Sequence, residues 1–573
     1  MPLLPLVEIV ARKFGHRGIP GSAVFLQHLT LWLALLGAAL AARSGRLLSL
    51  STSVFLPERW RPAAHLFTAW VGVAVSATLA AAGLAFVRAE RASGTVLAAG
   101  VPMWVAESIL PIGFALLAAR AAWGASEGWC GRLQAATGLM GPLLLREGMP
   151  PGIAIGVLLA ATVVGLPIFA TLGGLALVLF WQSGSPIAAV PLATYDLVAS
   201  PLFPSIPLFT LGGYILAEGG ASRRLLRVFT ALFGWLPGGL AVVAAALCAF
   251  FTSFNGASGI TILSLGGLLL PVLVKARYPE NFSLGLLTAS GSLGLLFFPS
   301  LPVILYGVTA QTPIDELFIG AIVPGLLLLA LVAAWGVRQG VRSDAGRAPF
   351  RWREASSAVW EAKWELGLPL VVFAGYFGGF ATMVEAAALT VLYALVVECF
   401  IYRDLSLRAD YARIAVECVS VIGGVLIIVG VAMGFTSYLV DAQVPDRMFA
   451  WVEQHIQSKL LFLLLLNVFL IIVGALMDIF SAIIVVVPLI RPLAAAFGIE
   501  PVQLGIIFLA NLELGYLTPP VGENLFLAAY RFEQPMARLA RAALPYWLIL
   551  LAGVLIVTYV PQMTAWPVEW AKR

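Results

Sequence analysis

The chain has 573 residues, of which 61% are hydrophobic and 11% charged, against about 25% charged in ordinary soluble proteins. With a mean hydropathy of +0.98, it has too few polar side chains to cover a soluble surface, so most of that surface faces lipid. The formal net charge of +5 does not point to nucleic acid, because the basic residues stand in short connections between apolar runs, where the positive-inside rule puts them.

Crossing the hydrocarbon layer as a helix takes about 20 apolar residues. Residues 1–20 hold only a short apolar stretch with Arg12, Lys13 and Arg17 in or after it, unlike a cleavable signal peptide. The spans expected next, in chain order, are 24–42, 66–87, 104–123, 153–181, 204–218, 236–253, 315–337, 380–402, 417–440, 460–477 and 541–560. Residues 124–150 are polar and Gly-rich enough to leave the bilayer core and lie amphipathically on its surface, which places a domain boundary there. Residues 338–363 carry the densest basic run, Arg338, Arg342, Arg347, Arg351, Arg353 and Lys363, and are expected in the cytoplasm; Arg403, Arg408 and Arg413 return the chain to that side. The expected fold is therefore an all-α, polytopic membrane protein.

Three apolar intervals, 259–311, 366–378 and 479–530, are interrupted by Gly, Pro, Ser and Thr. Two of them form an internal repeat. The first copy, residues 255–307, opens NGASGITILS and ends GSLGLLFFPSLPVILYG; the second, residues 474–529, opens GALMDIFSAI and ends NLELGYLTPPVGENLFLAA. Gly294 pairs with Gly515, Pro299 with Pro520 and Leu305 with Phe526. Each copy has a small-residue break, an apolar run ending in Pro (Pro271, Pro488), a polar turn, and a second run broken by Gly and Pro. Interrupted helices at corresponding positions of two halves mark transport sites in secondary transporters.

Proline removes a backbone donor and glycine relaxes backbone angles, so LGLLFFPS and LGYLTPPVG should unwind within the membrane. The freed carbonyls must then line a buried or watered cavity. Such oxygens with a hydroxyl or two suit sodium, and half-helix N-termini attract an anion. The competing reading is a pair of Pro-kinked helices packed through small residues; matching positions in two copies favour function. Asn255, at the first break, stands equally for ion coordination or an interhelical hydrogen bond. Asp478, Glu513 and Glu523 are the acids nearest a broken helix, Glu523 fitting an interfacial position equally well. Glu107, Glu218, Glu385, Glu398 and Glu417 fit packing or boundary positions.

Other chemistries are set aside. No GxxxxGK[ST] occurs, so the chain does not bind ATP through a P-loop. No HExxH surrounds His16, His28, His65 or His455, and Cys130, Cys248, Cys399 and Cys418 are far apart, without a CxxC. The match to GxSxG at residues 124–128 lies in the polar linker with no preceding strand. Gly256-Ala257-Ser258-Gly259 matches the serine motif of intramembrane rhomboid proteases, but that chemistry needs a histidine at the same depth, and none stands in the repeat segments.

Residues 200–259, including the strings IPLF and LPGGLA, NLELGYLTPPVGENLF (511–526) and EAAALTVLYALVVECFIYRDL (385–405) resemble the large permease subunit of tripartite ATP-independent periplasmic (TRAP) transporters. GIPGS (18–22), QHLTLW (27–32) and LGAALAARSGR (36–46) resemble the small permease subunit. The resemblance covers nearly the whole chain, as a fused form: residues 1–123 small-subunit-like, 124–150 linker, 151–573 large-subunit-like. Of the four membrane helices usual in the small subunit, three are strong here, and PLLPLVEIV (2–10) is left as a shortened or surface-lying first one.

The resemblance implies a bacterial inner-membrane importer, driven by sodium rather than by an ATPase subunit, that takes a small organic anion, a carboxylate or a sulfonate, from a periplasmic substrate-binding protein. It also implies an inverted-repeat elevator with two helical hairpins and two unwound helices. Carried over by position, one sodium site would use Asn255 and Ser258 with backbone oxygens of Gly294, Phe297 and Pro299. The second would use Gly474, Gly515, Thr518 and Val521, with Asp478 close by. Substrate would bind between the hairpins, with Ser253, Asn255, Asp478 and Pro519 as contacts. The chain departs from the family's serine-rich tip at Asn255-Gly256-Ala257-Ser258, and from its Pro-Pro-Ser at Phe298-Pro299-Ser300.

Overall fold

The structure is a computed structural model that describes residues 1–14, 18–45, 47, 49, 57–146, 150–198, 200–256, 258–343, 349–519 and 522–572. Its regular elements are helices. In chain order the first are α1 (Leu3–Phe14), α2 (Ser22–Arg43), α3 (Arg61–Ser93), α4 (Met103–Glu107), α5 (Ile109–Gly124), α6 (Trp129–Ala136), α7 (Gly141–Arg146), α8 (Pro151–Val164), α9 (Ile168–Gln182) and α10 (Ala189–Val198). Next come α11 (Ser205–Glu218), α12 (Ala221–Phe233), α13 (Gly239–Asn255), α14 (Ser258–Lys275), α15 (Glu280–Ser290), α16 (Leu301–Ala310), α17 (Ile314–Arg342), α18 (Trp352–Glu361), α19 (Lys363–Phe377) and α20 (Met383–Leu395). The last are α21 (Tyr411–Asp441), α22 (Val444–His455), α23 (Lys459–Leu476), α24 (Ile479–Ala496), α25 (Pro501–Gly515), α26 (Glu523–Phe532), α27 (Met536–Tyr559) and α28 (Gln562–Lys572). Among the described residues ten helices are long and apolar enough to cross a bilayer, and an eleventh candidate is a pair bent by 46° between 280–296 and 301–310.

Two sequence expectations need correction. The run 153–181 is not one span. Gly165 ends α8 in the left-handed region (φ 114°), and Pro167 then caps a separate α9; glycine takes that φ without a Cβ clash and proline starts a new first turn. Conversely, 366–378 is not interrupted: α19 runs through Pro369. Pro271 and Pro488 likewise lie inside α14 and α24 rather than ending them. Glu385, expected to be a packing residue, has a local task at the start of α20. Its backbone N–H donates to Thr382 Oγ1 (3.3 Å) while its carboxylate accepts from the Thr382 N–H (2.8 Å), a capping box that satisfies two otherwise unpaired donors.

The chain divides into two compact units. The first comprises residues 1–207, 415–447 and 484–489. Its helices approach through glycine: a Cβ on Gly37 of α2 would stand 2.3 Å from the Val419 carbonyl oxygen, and one on Gly423 would stand 2.5 Å from Gly37 Cα. Small residues of this kind let membrane helices touch backbone to backbone, where no hydrophobic force distinguishes lipid from protein. His28 is held by the Val24 carbonyl (2.7 Å) and the Tyr195 hydroxyl (3.0 Å).

The second unit comprises residues 208–414, 448–483 and 490–573 and contains most of both repeat copies. Here α13 packs on α14, α14 on α26, α15 on α27, and α23 on α25. One ion cluster joins distant segments of this unit. Arg224 of α12 binds Glu365 of α19, Asp404, and both oxygens of Glu398 (2.9 and 3.0 Å), and stacks on the Tyr402 ring at 3.7 Å. Burial alone would lower the Arg224 pKa, but the hydrogen bond to Asp404 and the charges of Glu398 and Glu365 raise it above the ordinary arginine value, so the guanidinium stays charged. Glu398 is therefore an ion-pair member, not a boundary residue.

Candidate transport site

The two sequence copies become two similar helical arrangements. In each, two helices are joined at a short tip, α13 with α14 and α23 with α24, and are followed by a helix that breaks: α15 continuing to α16, and α25 to α26. At each break a glycine lies against the first helix of its own pair. A Cβ on Gly294 would stand 2.2 Å from the Ala249 carbonyl oxygen and 2.7 Å from Ser253 N; one on Gly515 would stand 2.5 Å from the Cα of Gly474. Sequence pairing of Gly294 with Gly515 thus coincides with a shared backbone crossing, at Ser253 in one copy and Gly474 in the other.

At the first tip, α13 ends at Asn255 and Gly256 caps it in the left-handed region (φ 67°), its N–H donating to the Thr252 carbonyl (2.8 Å). The Thr252 hydroxyl bonds Thr261 Oγ1 and the Gly291 carbonyl, both at 2.7 Å, tying both arms of the hairpin to the broken helix. Ser258 opens α14 with its hydroxyl buried and without a hydrogen-bond partner among the described residues. A Cβ on Gly291 would stand 3.3 Å from the Ser258 carbonyl oxygen, so this tip also meets the break. Ser253 donates its hydroxyl to Phe250 O (2.8 Å).

Residues 291–300 carry the unwound segment. Gly294 O accepts from Phe297 N–H (3.1 Å), Phe297 O accepts from Ser300 N–H (2.9 Å), and the Ser300 hydroxyl donates to Leu295 O. A carbonyl has two lone pairs, so Gly294 O and Phe297 O each retain one. The Phe298–Pro299 peptide is cis. The Phe298 ring sits among Phe318, Phe373, Tyr376 and Phe377 with centroids 5.0 to 6.1 Å away, which fastens the loop to α17 and α19 and gives the Phe in place of the usual Pro a packing role.

At the second tip Asp478 is the N-cap of α24. Its carboxylate accepts from the N–H of Phe480 and Ser481 (3.1 Å each) and from the Ser481 hydroxyl (2.6 Å). The Ile479 N–H donates to the Tyr516 hydroxyl (2.9 Å), and Tyr516 also bonds Glu523, which lies near Asp478. Glu523 starts α26, and its Oε1 would be 3.7 Å from a Cβ on Gly259, so the acid stands where the second break reaches the first hairpin. The Gly522 N–H donates to Ala475 O (3.2 Å). Thr518 donates its hydroxyl to Leu514 O (2.8 Å) and accepts from Trp547 Nε1 (2.9 Å), while Pro519 is exposed. The side chain of Asn255, and residues Ala257, Pro520 and Val521, lie outside the described residues.

Several polar groups here were not singled out from sequence: the Thr252–Thr261 pair, Asn524, whose amide donates to Thr288 O (3.1 Å), and Asn467, which accepts from Asn511 (2.7 Å) and Thr558 (3.0 Å). Each is an amide or hydroxyl at membrane depth, and that cost was the available signal. Glu513 is buried in α25 with neither carboxylate oxygen partnered among the described residues. The protease alternative fails at its first requirement, since Ser258 has no histidine beside it: His28, His65 and His455 hydrogen-bond elsewhere.

Comparison with known proteins decides the family. The model "Tripartite ATP-independent periplasmic transporter, DctM component" matches residues 153–563, and the corresponding DctQ component model matches residues 1–131. The chain belongs to the TRAP transporter family. It fuses the two permease components, and is 34% identical over 478 residues to the isethionate TRAP transporter permease protein DctMQ of Oleidesulfovibrio alaskensis, covering 81% of this chain and 75% of that protein. The C4-dicarboxylate TRAP transporter large permease protein DctM of Pseudomonas aeruginosa is 32% identical, over 70% of this chain and 93% of that one. The ectoine/5-hydroxyectoine large permease UehC of Ruegeria pomeroyi is 33% identical over 63% of this chain and 84% of its own. TRAP permeases are multi-pass inner-membrane proteins that import with a periplasmic substrate-binding protein; this chain is a transporter component, not an enzyme.

Proposed function

We propose that this TRAP permease imports a small organic anion, a carboxylate or sulfonate, together with sodium ions, by an elevator movement of the repeat region against a scaffold. The domains would be residues 1–123 as the small-subunit part, 124–150 as a surface linker and 151–573 as the large-subunit part. The observation that carries the sodium assignment is the matched pair of backbone crossings at Gly294 and Gly515, each beside an unwound segment rich in oxygen. Hard cations take oxygen ligands. The residues of the first break fit such an ion: the buried Ser258 hydroxyl lacks a partner, and Gly294 O and Phe297 O keep free lone pairs. They would hold it with Asn255 and the Pro299 carbonyl. In the second copy Gly474, Gly515, Thr518 and Val521 would hold another.

Asp478 contributes by fixing the second tip. With its carboxylate spent on the first turn of α24, it orients that helix end instead of meeting substrate directly. Ser253, Asn255 and Pro519 are then the contacts proposed for the anion. Relatives named for isethionate, C4-dicarboxylates and ectoine support a small organic acid without choosing among them. Proteoliposomes holding the chain, with its cognate binding protein and labelled substrate outside, should accumulate substrate under an inward sodium gradient and not under a potassium gradient. Equal uptake of free substrate without the binding protein would instead favour an autonomous sodium-coupled carrier.

A further inference from the structure

The second unit carries a cleft that the transport site does not use. It lies between α12 and α18, encloses about 250 Å³, and is lined by Arg223, Arg227, Arg351, Glu354, Leu226 and Pro349 among others. In α12, Arg223 and Arg227 are four residues apart and share a face, while Arg224, one step round the helix, turns into the acidic cluster. Arg227 pairs with Glu361. Among the described residues, no carboxylate stands within ion-pair distance of Arg223 or Arg351. Three guanidiniums thus face two carboxylates, Glu354 and Glu361, leaving one positive charge in excess.

An aromatic rim adjoins the cleft. Trp235 meets Phe350 edge-on at 6.4 Å, and Phe350 meets Trp352 at 6.3 Å; all three are exposed, Trp352 by 73%. Exposed tryptophans of a membrane protein mark the headgroup level of the bilayer. Both helices are amphipathic, burying Leu225 and Val228 of α12 and Ala355 and Ala358 of α18, as interfacial helices do. Arg351 belongs to the basic run that the charge rule puts on the cytoplasmic side.

We propose that this cleft binds the phosphodiester headgroup of an anionic phospholipid in the cytoplasmic leaflet. The planar guanidinium fork matches phosphate oxygens, the single excess charge matches a phosphodiester monoanion, and the aromatic rim sits where the glycerol backbone meets the acyl chains. A soluble phosphate ester would use the same arginines but gain nothing from the rim.

The test uses the purified full chain in nanodiscs of phosphatidylcholine, with phosphatidylglycerol replacing part of the lipid, read by thermal midpoint and by lipid retained in native mass spectrometry. Phosphatidylglycerol should raise the midpoint saturably by several degrees and be retained at about one copy per chain. The variant R223Q/R351Q should lose at least about tenfold in that affinity, R223K/R351K should keep part of it, and R353Q, an exposed arginine outside the cleft lining, should keep all of it. Should R223Q/R351Q not fold, R223Q alone is compared with R353Q. The proposal is overturned if phosphatidylcholine serves as well, if R353Q loses as much affinity as the cleft variants, or if soluble glycerol 3-phosphate gives the same rise.

Discussion

A Cβ atom on Gly515 would stand 2.5 Å from the Cα of Gly474, closer than real Cβ contacts allow, and both atoms belong to backbone that cannot rotate aside. The second break of this TRAP permease therefore rests directly on the first helix of its own hairpin. Gly515→Ala should destabilise the protein by about 1–3 kcal/mol or more, the usual range for overpacking, and abolish uptake. Gly294→Ala should behave alike because the same crossing recurs there. Gly375→Ala, in α19 with open space around it, should be neutral or stabilising by up to about 1 kcal/mol. Thermal midpoints of the three variants check this.

Ser258→Ala removes a buried hydroxyl that has no hydrogen-bond partner among the described residues. An unsatisfied group contributes no stability to lose, so the thermal midpoint should hold within a degree or two. The sodium concentration for half-maximal uptake should rise severalfold. An unchanged sodium dependence would remove Ser258 from the ion site.

Asp478 offers a cleaner separation of roles. As a helix N-cap it should tolerate Asn, which caps equally well, while Asp478→Ala should cost about 0.5–2 kcal/mol. If Asp478→Asn also abolished uptake with the fold intact, its charge rather than its cap would be at work.

Arg224→Met should cost about 3–5 kcal/mol, because Glu365 and Glu398, both buried, would lose their counter-charge. Arg224→Lys should rescue little: the guanidinium reaches three carboxylates through separate nitrogens, a geometry an ammonium does not reproduce. Denaturation midpoints in detergent compare the two.

These residues also mark what could be read from sequence. The membrane class and the paired breaks were legible, because composition fixes the solvent and Gly–Pro interruption is local; Gly294 aligned with Gly515 before any geometry was known. The break at Gly165 and Pro167 was equally local, yet hydropathy, which is blind to backbone angles, ran straight over it. The Arg224 cluster was not legible, since its carboxylates lie 141 to 180 residues away in the chain and no periodicity links them. Asp478 was visible as an acid beside a break, but a cap and an ion ligand look identical until the hydrogen bonds are seen.

The central claim is that the oxygens exposed at the two breaks bind the ion that drives transport. Its most direct test is substrate accumulation in proteoliposomes with the cognate binding protein, comparing inward sodium with inward potassium gradients at equal membrane potential. Concentrative uptake under sodium alone, with a higher sodium requirement in Ser258→Ala, is the expected result; equal accumulation under potassium would contradict it.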